Sequence, residues 1–255
     1  MNVRNLIPGI GGLAVVVALA ATSALPAGAA SPSPSPTASS AAPVLPPGPC
    51  GGTAAGVLAC IKQRASEAVS DREATLQAMT TYLNNAPEVT PSDRSTLLGQ
   101  ISSDETGLDA LNATIQSDTT VSQAHSDAML IVTDYRVYLL EAPKVHLVIV
   151  ADTEDSLEST LQGWLPKVQT AINNSGASAA EKAAAQTSLN DCTTSLAAAE
   201  SASSGVSGEV INLQPTGYPG NKATLVSARG SVKTARSDLG DCRSDLKAIR
   251  SDLGS

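Results

Sequence analysis

A seven-residue repeat near the C-terminal end constrains the fold of this chain more than any other feature. The tetrapeptide Arg-Ser-Asp-Leu occurs at 236–239, 243–246 and 250–253. Apolar residues recur there at alternating steps of three and four, the spacing of a helix that packs on another helix. Their seam is Leu225, Ala228, Val232, Ala235, Leu239, Cys242, Leu246, Ile249 and Leu253. The repeat therefore predicts a long helix with a coiled-coil-like face.

The preceding segment carries the same spacing. Its seam is Lys182, Ala185, Leu189, Cys192, Leu196, Ala199, Ser203, Val206 and Val210. We expect one helix to continue through Gly205 and Gly208, because the spacing is unbroken. The stretch 214–219, which is rich in Pro and Gly, predicts a turn after it. When the chain folds back there, the numbers of facing seam residues add to 434 or 435 throughout. The two helices should therefore pack antiparallel.

The antiparallel register places Cys192 opposite Cys242. Packed helices leave about 4–6 Å between facing Cα atoms, which suits a disulfide. The chain has four Cys, an even set that indicates two disulfides and an oxidising compartment in an exported chain. By elimination Cys50 pairs with Cys60. This second bridge would tie the segment before the first helix to that helix.

The same test predicts one earlier hairpin, and apolar spacing predicts another before it. Leu157, Leu161, Trp164 and Val168 face the seam that contains Cys192, about a turn at 173–176. Farther upstream, the apolar positions of one helix are Val57, Ile61, Ala65, Ala68, Leu76, Met79 and Leu83, and those of the returning helix are Leu97, Ile101, Leu108, Leu111 and Ile115. Residues 54–255 are therefore expected to be all-α. The predicted fold is an antiparallel helical bundle of about five to six helices with coiled-coil-like heptad seams.

The N-terminal residues 1–29 are typical of a secretory signal peptide. Arg4 precedes an apolar stretch at 10–25, and a small-x-small site at 27–29 precedes Ala30. A retained membrane anchor is the disfavoured alternative, because the stretch is short and no basic cluster follows it. Residues 30–53 are rich in Pro, Ser and Ala and predict a disordered spacer, either a stalk or a mere leader. We expect the chain to be secreted or at the cell surface after cleavage.

Charge argues against a nucleic-acid partner. The chain has 16 bases and 24 acids, a net charge of −8. The distribution is uneven, since 220–255 has seven bases and four acids whereas 50–219 has eight bases and 20 acids. This contrast either helps to hold the last helix to the others or marks a face that contacts an anionic envelope polymer. The bases of that face are Lys233, Arg236, Arg243, Lys247 and Arg250.

An unusual segment spans 129–152, where ionisable side chains interrupt the most apolar part of the mature chain. A membrane span is disfavoured because no uninterrupted apolar run approaches the ~20 residues required. A strand at 145–150 would have no partner strand elsewhere. The segment is therefore interpreted as a buried helix, kinked at Pro143. Its candidate buried polar cluster is Asp134, Tyr135, Arg136, Tyr138, Glu141, Lys144 and His146.

Two interpretations of this cluster stay open. In the catalytic one, Asp134, Glu141 and His146 act as acid or base while an arginine holds an anion. In the structural one, Glu141 pairs with Lys144 at i,i+3, and Asp134, Tyr135 and Arg136 satisfy one another inside the bundle. We favour the structural interpretation, because ion pairs commonly serve folding where burial perturbs charges.

Two motifs carry a resemblance to a known family. The first is Asp-Tyr-Arg-Val-Tyr at 134–138 with Pro-Lys at 143–144, His-Leu-Val at 146–148 and Ala-Asp at 151–152, and the second is Gly-Tyr-Pro-Gly-Asn-Lys-Ala at 217–223. Over roughly 61–253 the chain resembles a family of secreted, Ala-rich helical proteins of actinobacteria. The resemblance implies an exported helical bundle or coiled coil at the cell envelope. It implies no activity, substrate or catalytic residue.

Motifs for chemistry are missing from the sequence. The sequence has two His and no Cys-x-x-Cys, so it predicts no metal site. It also lacks a Walker loop and a Gly-x-Ser-x-Gly elbow, so it gives no indication of a nucleotide cofactor or a serine nucleophile. We therefore expect no catalytic residues, no cofactor and no membrane span in the mature chain. The predicted function is an exported structural or interaction protein with an unknown partner at the cell envelope. The alternative is a ligand-binding protein or enzyme with its site along 134–146.

Overall fold

The computed structural model describes residues 50–254, which form helices joined by turns, with no strand among them. The all-α prediction is confirmed. The predicted signal peptide, and the predicted spacer up to residue 49, lie outside the described residues. The elements are α1 Ala54–Asn84, α2 Pro91–Ser117, α3 Val121–Thr133, a π-helical turn Val137–Glu141, α4 Ala142–Asn174, α5 Ala179–Ser203, α6 Val206–Ile211, a 3-10 turn Pro215–Gly217 and α7 Asn221–Gly254. No helix within 50–254 combines the length and apolar composition that crossing a bilayer requires.

Local sequence explains where α2 and α5 begin. Thr90 Oγ1 accepts the backbone N–H of Asp93 at 3.1 Å, and Pro91 occupies the first turn, where no N–H donor is needed. Before α5, Ser178 Oγ accepts the N–H of Glu181 at 3.3 Å. The Glu181 carboxylate in turn accepts the N–H of Ser178 at 2.7 Å. This reciprocal capping box satisfies two N–H groups that the helix itself leaves unpaired.

The described residues divide into two compact units. The larger unit runs up to Leu161 and includes Ser195–Gly240, and the smaller unit consists of Gln162–Thr194 and the residues from Asp241 onward. Helices α4, α5 and α7 contribute residues to both units.

In the larger unit, α1 and α2 pack antiparallel. Lys62 Nζ, near the start of α1, donates to the carbonyl of Gln116 near the end of α2 at 2.7 Å. One turn farther along, Ser66 Oγ donates to Asn112 Oδ1 at 3.0 Å. The apolar positions predicted for this hairpin form much of the core: Ile61, Ala65, Ala68, Leu76, Met79, Leu83, Leu97, Ile101, Leu108 and Ile115 are buried.

In the smaller unit, α4 and α5 also pack antiparallel. The side-chain amides of Gln169 and Gln186 exchange hydrogen bonds of 2.7 and 3.0 Å, and Lys182 Nζ donates to the carbonyl of Asn173 at 3.1 Å. Apolar residues of α4, α5 and α7 form one core cluster: Val168, Ile172, Ala185, Leu189, Ile249 and Leu253. The turn predicted at 173–176 therefore closes the hairpin as expected.

Both predicted disulfides are present. Cys192 in α5 is bonded to Cys242 in α7, with Cα atoms 3.9 Å apart and both residues fully buried. Cys50 is bonded to Cys60 in the first turns of α1, with Cα atoms 5.8 Å apart. The pairing that the heptad register predicts is therefore confirmed.

The single helix predicted through Gly205 is wrong. Helix α5 ends at Ser203, Gly205 adopts a φ of 82°, and α6 begins at Val206. Glycine reaches this left-handed conformation without strain because it has no Cβ. Val206 and Val210 remain buried after the break, so the heptad seam persists although the helix does not.

The segment 129–152 is mainly helical as predicted, but it is not one helix. The chain breaks upstream of the predicted kink at Pro143: α3 ends at Thr133, and Arg136 adopts a φ of 42°. Pro143 lies in the first turn of α4, directly after the π-helical turn. Proline has no N–H to donate, so the hydrogen-bond ladder is interrupted at Pro143, next to the turn in which the ladder changes register.

Candidate functional site

A buried ion pair joins the π-helical turn to the first turn of α4. Lys144 Nζ lies 2.9 Å from each carboxylate oxygen of Glu141, and it also donates to the carbonyl of Leu213 at 3.2 Å. The two side chains are 1% and 3% exposed. Burial raises the pKa of Glu141, while Lys144 acts against that rise. The predicted i,i+3 pair is therefore confirmed, and it also fastens the loop after α6.

Asp104 of α2 brings a third ionisable group to this pair. Burial raises the pKa of Asp104 to about 7, the negative charge of Glu141 adds to the rise, and Lys144 opposes it. Asp104, Glu141 and Lys144 are called the polar centre below. A carboxyl group with a pKa near 7 takes up and releases protons at neutral pH, so proton exchange is the chemistry that this centre supports.

The two motifs behind the family resemblance meet at Arg136. Its Nε donates to the carbonyl of Pro215 at 3.2 Å, and its guanidinium lies over the ring of Tyr218, 4.5 Å from the centroid. The loop 214–220 is thus held against the strained turn that separates α3 from α4.

Tyr135 packs against α2 where that helix has no side chain. A Cβ built on Gly107 would overlap the phenol ring and hydroxyl of Tyr135. Burial raises the pKa of Tyr135, and the negative charges of Asp104 and Asp134 add to the rise. Gly107 therefore lets the tyrosine lie close to the polar centre.

The other predicted cluster residues lie apart. Asp134 is exposed and accepts a hydrogen bond from Thr133 Oγ1 at 2.8 Å, and Tyr138 is half-buried with the guanidinium of Arg72 5.2 Å from its ring centroid. His146 is exposed. Although His146 keeps much of its surface in solvent, partial loss of hydration lowers the pKa of its imidazole, and so do the positive charges of Arg236 and Arg229 of α7.

The prediction of one buried polar cluster is therefore wrong, and so is the mutual satisfaction of Asp134, Tyr135 and Arg136. The left-handed turn at Arg136 and the π-helical turn rotate successive side chains toward different neighbours. Within the predicted set, the fully buried members are Glu141 and Lys144.

A second polar group, which sequence reasoning missed, lies on α4 in the larger unit. Asp152, Glu154 and Glu158 are 4%, 5% and 3% exposed. We call them the acid row. Ser207 Oγ donates to Asp152 Oδ1 at 2.6 Å, and Ser203 Oγ donates to Glu158 Oε1 at 3.1 Å.

The acid row meets one base and one backbone donor. Glu154 Oε1 lies 3.4 Å from Arg236 Nε, and the backbone N–H of Thr90 donates to Asp152 Oδ2 at 3.0 Å. Burial is the largest cause of the raised pKa values, which reach about 7 for Glu154 and Glu158. The pKa of Asp152 is also raised, although the bonds from Ser207 and Thr90 act against the rise.

The heptad spacing contained a signal for two other polar residues that the sequence analysis did not single out. Arg72 falls in the gap between Ala68 and Leu76 on the seam of α1, and Asp104 falls in the gap between Ile101 and Leu108 on that of α2. Both are polar residues at positions that face the core. Helical spacing alone therefore marks them as facing the core, where Arg72 is buried and Asp104 is half-buried.

On α4, the predicted seam position Leu157 is half-buried, whereas its neighbour Glu158 is buried. The hydrogen bond from Ser203 to Glu158 accounts for the difference, because a serine at a seam position offers the carboxyl group a partner.

Neither metal-site geometry nor similarity to known proteins assigns a chemistry to this site. Among residues 50–254, no three His, Cys, Asp or Glu side chains come together as a metal site would require. Comparison of the chain with protein-family models, with curated proteins and with solved structures found no match.

Proposed function

We propose that the chain is an exported structural or interaction protein of the cell envelope. The observation that carries the proposal is the position of the Lys144 ammonium group. It is buried and donates to the carboxylate of Glu141 and to the carbonyl of Leu213. The polar side chains at the core of the candidate site hold elements of the bundle together instead of facing outward. Structural ion pairs perturb pKa values as catalytic groups do, so a buried pair that joins elements supports a scaffold role.

Two disulfides support export. Disulfides persist mainly in oxidising compartments. The bonds Cys50–Cys60 and Cys192–Cys242 are therefore what an extracellular location favours. The leader-like sequence at 1–29 is consistent with this location.

An anionic envelope polymer is the partner that charge favours. In the smaller unit, Lys247 and Arg250 lie at i,i+3 on α7, and both are exposed. Exposed bases on one helix face attract polyanions through long-range electrostatics, and salt weakens that attraction.

The test is co-sedimentation of the purified mature chain with washed envelopes from the source cells. We expect saturable binding that weakens with added salt and falls at least tenfold in affinity in Lys247→Glu/Arg250→Glu. Lys167→Glu/Lys222→Glu makes the same charge change at two other exposed lysines and should bind nearly as the parent does. Absence of envelope binding, or an equal loss in both variants, would contradict the proposal.

A ligand-binding or enzymatic role along 134–146 is the second proposal, and the backbone of Arg136 favours it. A non-glycine residue in the left-handed region costs about 1 kcal/mol or more, and both such strain and π-helical turns concentrate at functional sites. If Arg136 holds an anion, phosphate or acetate should raise the melting temperature of the parent but not that of Arg136→Gln. A control, Arg229→Gln, should respond as the parent does. No rise in the parent would refute this second role.

A further inference from the structure

The break between α5 and α6 lies between two serines that both hydrogen-bond to α4. Ser203 is the last residue of α5 and donates to Glu158, while Ser207 is the second residue of α6 and donates to Asp152. Gly205, between them, has the positive φ that ends one helix and starts the next. Helix α6 has six residues, too few to persist in water without tertiary contacts. Its position therefore depends on tertiary contacts. These are the burial of Val206, Val210 and Ile211, a bond from Gln100 of α2 to the Ile211 carbonyl at 3.0 Å, and the two serine bonds to α4.

The buried carboxyl groups of the acid row have little to neutralise them. Glu154 Oε2 is buried without a hydrogen-bond partner, and the base beside Oε1, Arg236, has a side chain 56% exposed. Burying an ionised carboxylate is costly unless it is paired and hydrogen-bonded. Burial at 3–5% exposure therefore favours the neutral form of the acid row.

Negative charges face the acid row from several elements. They come from Asp155 on α4 itself, from Asp93 of α2 and from Glu200 of α5, whereas Arg236 of α7 is the base that opposes them. Each ionisation in the acid row therefore adds a charge among like charges, and the serine hydroxyls that favour the ionised form are outweighed by burial.

We propose that the α5–α6 junction is a pH-operated latch on α4, closed while the acid row is protonated and released as it ionises. Gly205 is the pivot, and α6 is the part that leaves. The direction of the pH effect follows from the linkage between proton binding and opening of the latch. Because the pKa of Glu154 and of Glu158 rises from an ordinary 4.5 to about 7 in the closed state, opening becomes easier as pH rises through that interval and levels off above it.

Hydrogen exchange of the mature chain, followed by mass spectrometry, tests the latch. One carboxyl group whose pKa is 4.5 in the open state and about 7 in the closed state makes opening up to about tenfold easier per pH unit between those two values. After correction for intrinsic exchange rates, we expect amides of 203–211 to lose protection by about tenfold or more between pH 5 and pH 7.5. Amides of 61–69, in α1 of the same unit, should lose much less.

Two variants separate the latch from a general pH effect. Glu154→Gln/Glu158→Gln should make protection of 203–211 much less dependent on pH, because Asp152 is then the one acid-row carboxyl group that still ionises. Glu209→Gln, which removes an exposed carboxyl group on α6 itself, should behave as the parent does. If circular dichroism shows that the double variant is unfolded, Glu154→Gln alone should reduce the pH response. Equal protection of 203–211 at both pH values, or an undiminished loss in the glutamine variants, would overturn the proposal.

Discussion

Gly107 shows how a missing side chain positions another residue. A Cβ at this point in α2 would overlap the ring of Tyr135, so Gly107→Ala must displace that ring. Overpacking of this kind costs about 1–3 kcal/mol. Alanine also gains about 0.5–1 kcal/mol of helix propensity at this position, so we expect Gly107→Ala to lower the free energy of unfolding by somewhat less than the overpacking cost in urea titrations.

Gly99 in the same helix provides the matched control. A Cβ there meets nothing within 4 Å, so Gly99→Ala should stabilise the chain by about 0.5–1 kcal/mol through helix propensity alone. Equal effects of the two substitutions would show that Tyr135 does not pack as described.

The pair Glu141–Lys144 gives a second prediction at this scale. Lys144→Met leaves a buried carboxylate without its base, which costs about 3–5 kcal/mol. Replacing both residues, as in Glu141→Leu/Lys144→Met, removes the unpaired charge and should recover most of that loss. Urea titrations of the parent and of both variants measure the difference. A double variant as unstable as Lys144→Met would contradict a buried ion pair.

Residue-scale prediction from sequence works for apolar positions and fails for polar ones. Spacing places Leu76 and Leu108 in the core because apolar side chains need no particular partner. Arg72 and Asp104 lie at seam positions as well. Arg72 donates to a carbonyl of its own helix, but the ring that it faces and the charges around Asp104 come from other elements, which spacing along one helix cannot identify. The polar centre was therefore predictable as the pair Glu141–Lys144 and not as a group of three.

Among the elements, α5 and α7 are joined covalently. Closing a loop of 50 residues stabilises a chain by roughly 4 kcal/mol on the chain-entropy argument. We expect Cys192→Ala/Cys242→Ala to lower the melting temperature and to leave the far-UV circular dichroism unchanged at low temperature, because Leu189, Leu196 and Leu239 still pack. Loss of helix content in that variant would show that the bridge is needed to form these helices.

The ends of elements were less predictable than their faces. The seam continues across Gly205, because a glycine break can keep Val206 and Val210 on the buried side. Likewise the apolar run at 129–152 predicts a buried helix, whereas the turn at Arg136 depends on the contacts that this arginine makes with Pro215 and Tyr218. Periodicity reports which face is buried and does not report where hydrogen bonding changes register.

For the whole molecule, the heptad repeat fixes the antiparallel order of helices because every seam must find a facing seam. No comparable rule connects the repeat to a partner, so the role at the cell envelope is proposed from burial, disulfides and charge. Two features are central, the pairing of Cys192 with Cys242 and the proposed export of the chain.

A non-reducing tryptic map of the protein purified from its source cells tests both most directly. Cleavage leaves Cys192 in peptide 183–222 and Cys242 in peptide 237–243, while Cys50 and Cys60 share the peptide that ends at Lys62. We predict that 183–222 is linked to 237–243, and that the peptide ending at Lys62 begins at Ala30 and contains an internal disulfide. A link from 183–222 to the peptide ending at Lys62, or free thiols at all four positions, would contradict the antiparallel register and the exported state.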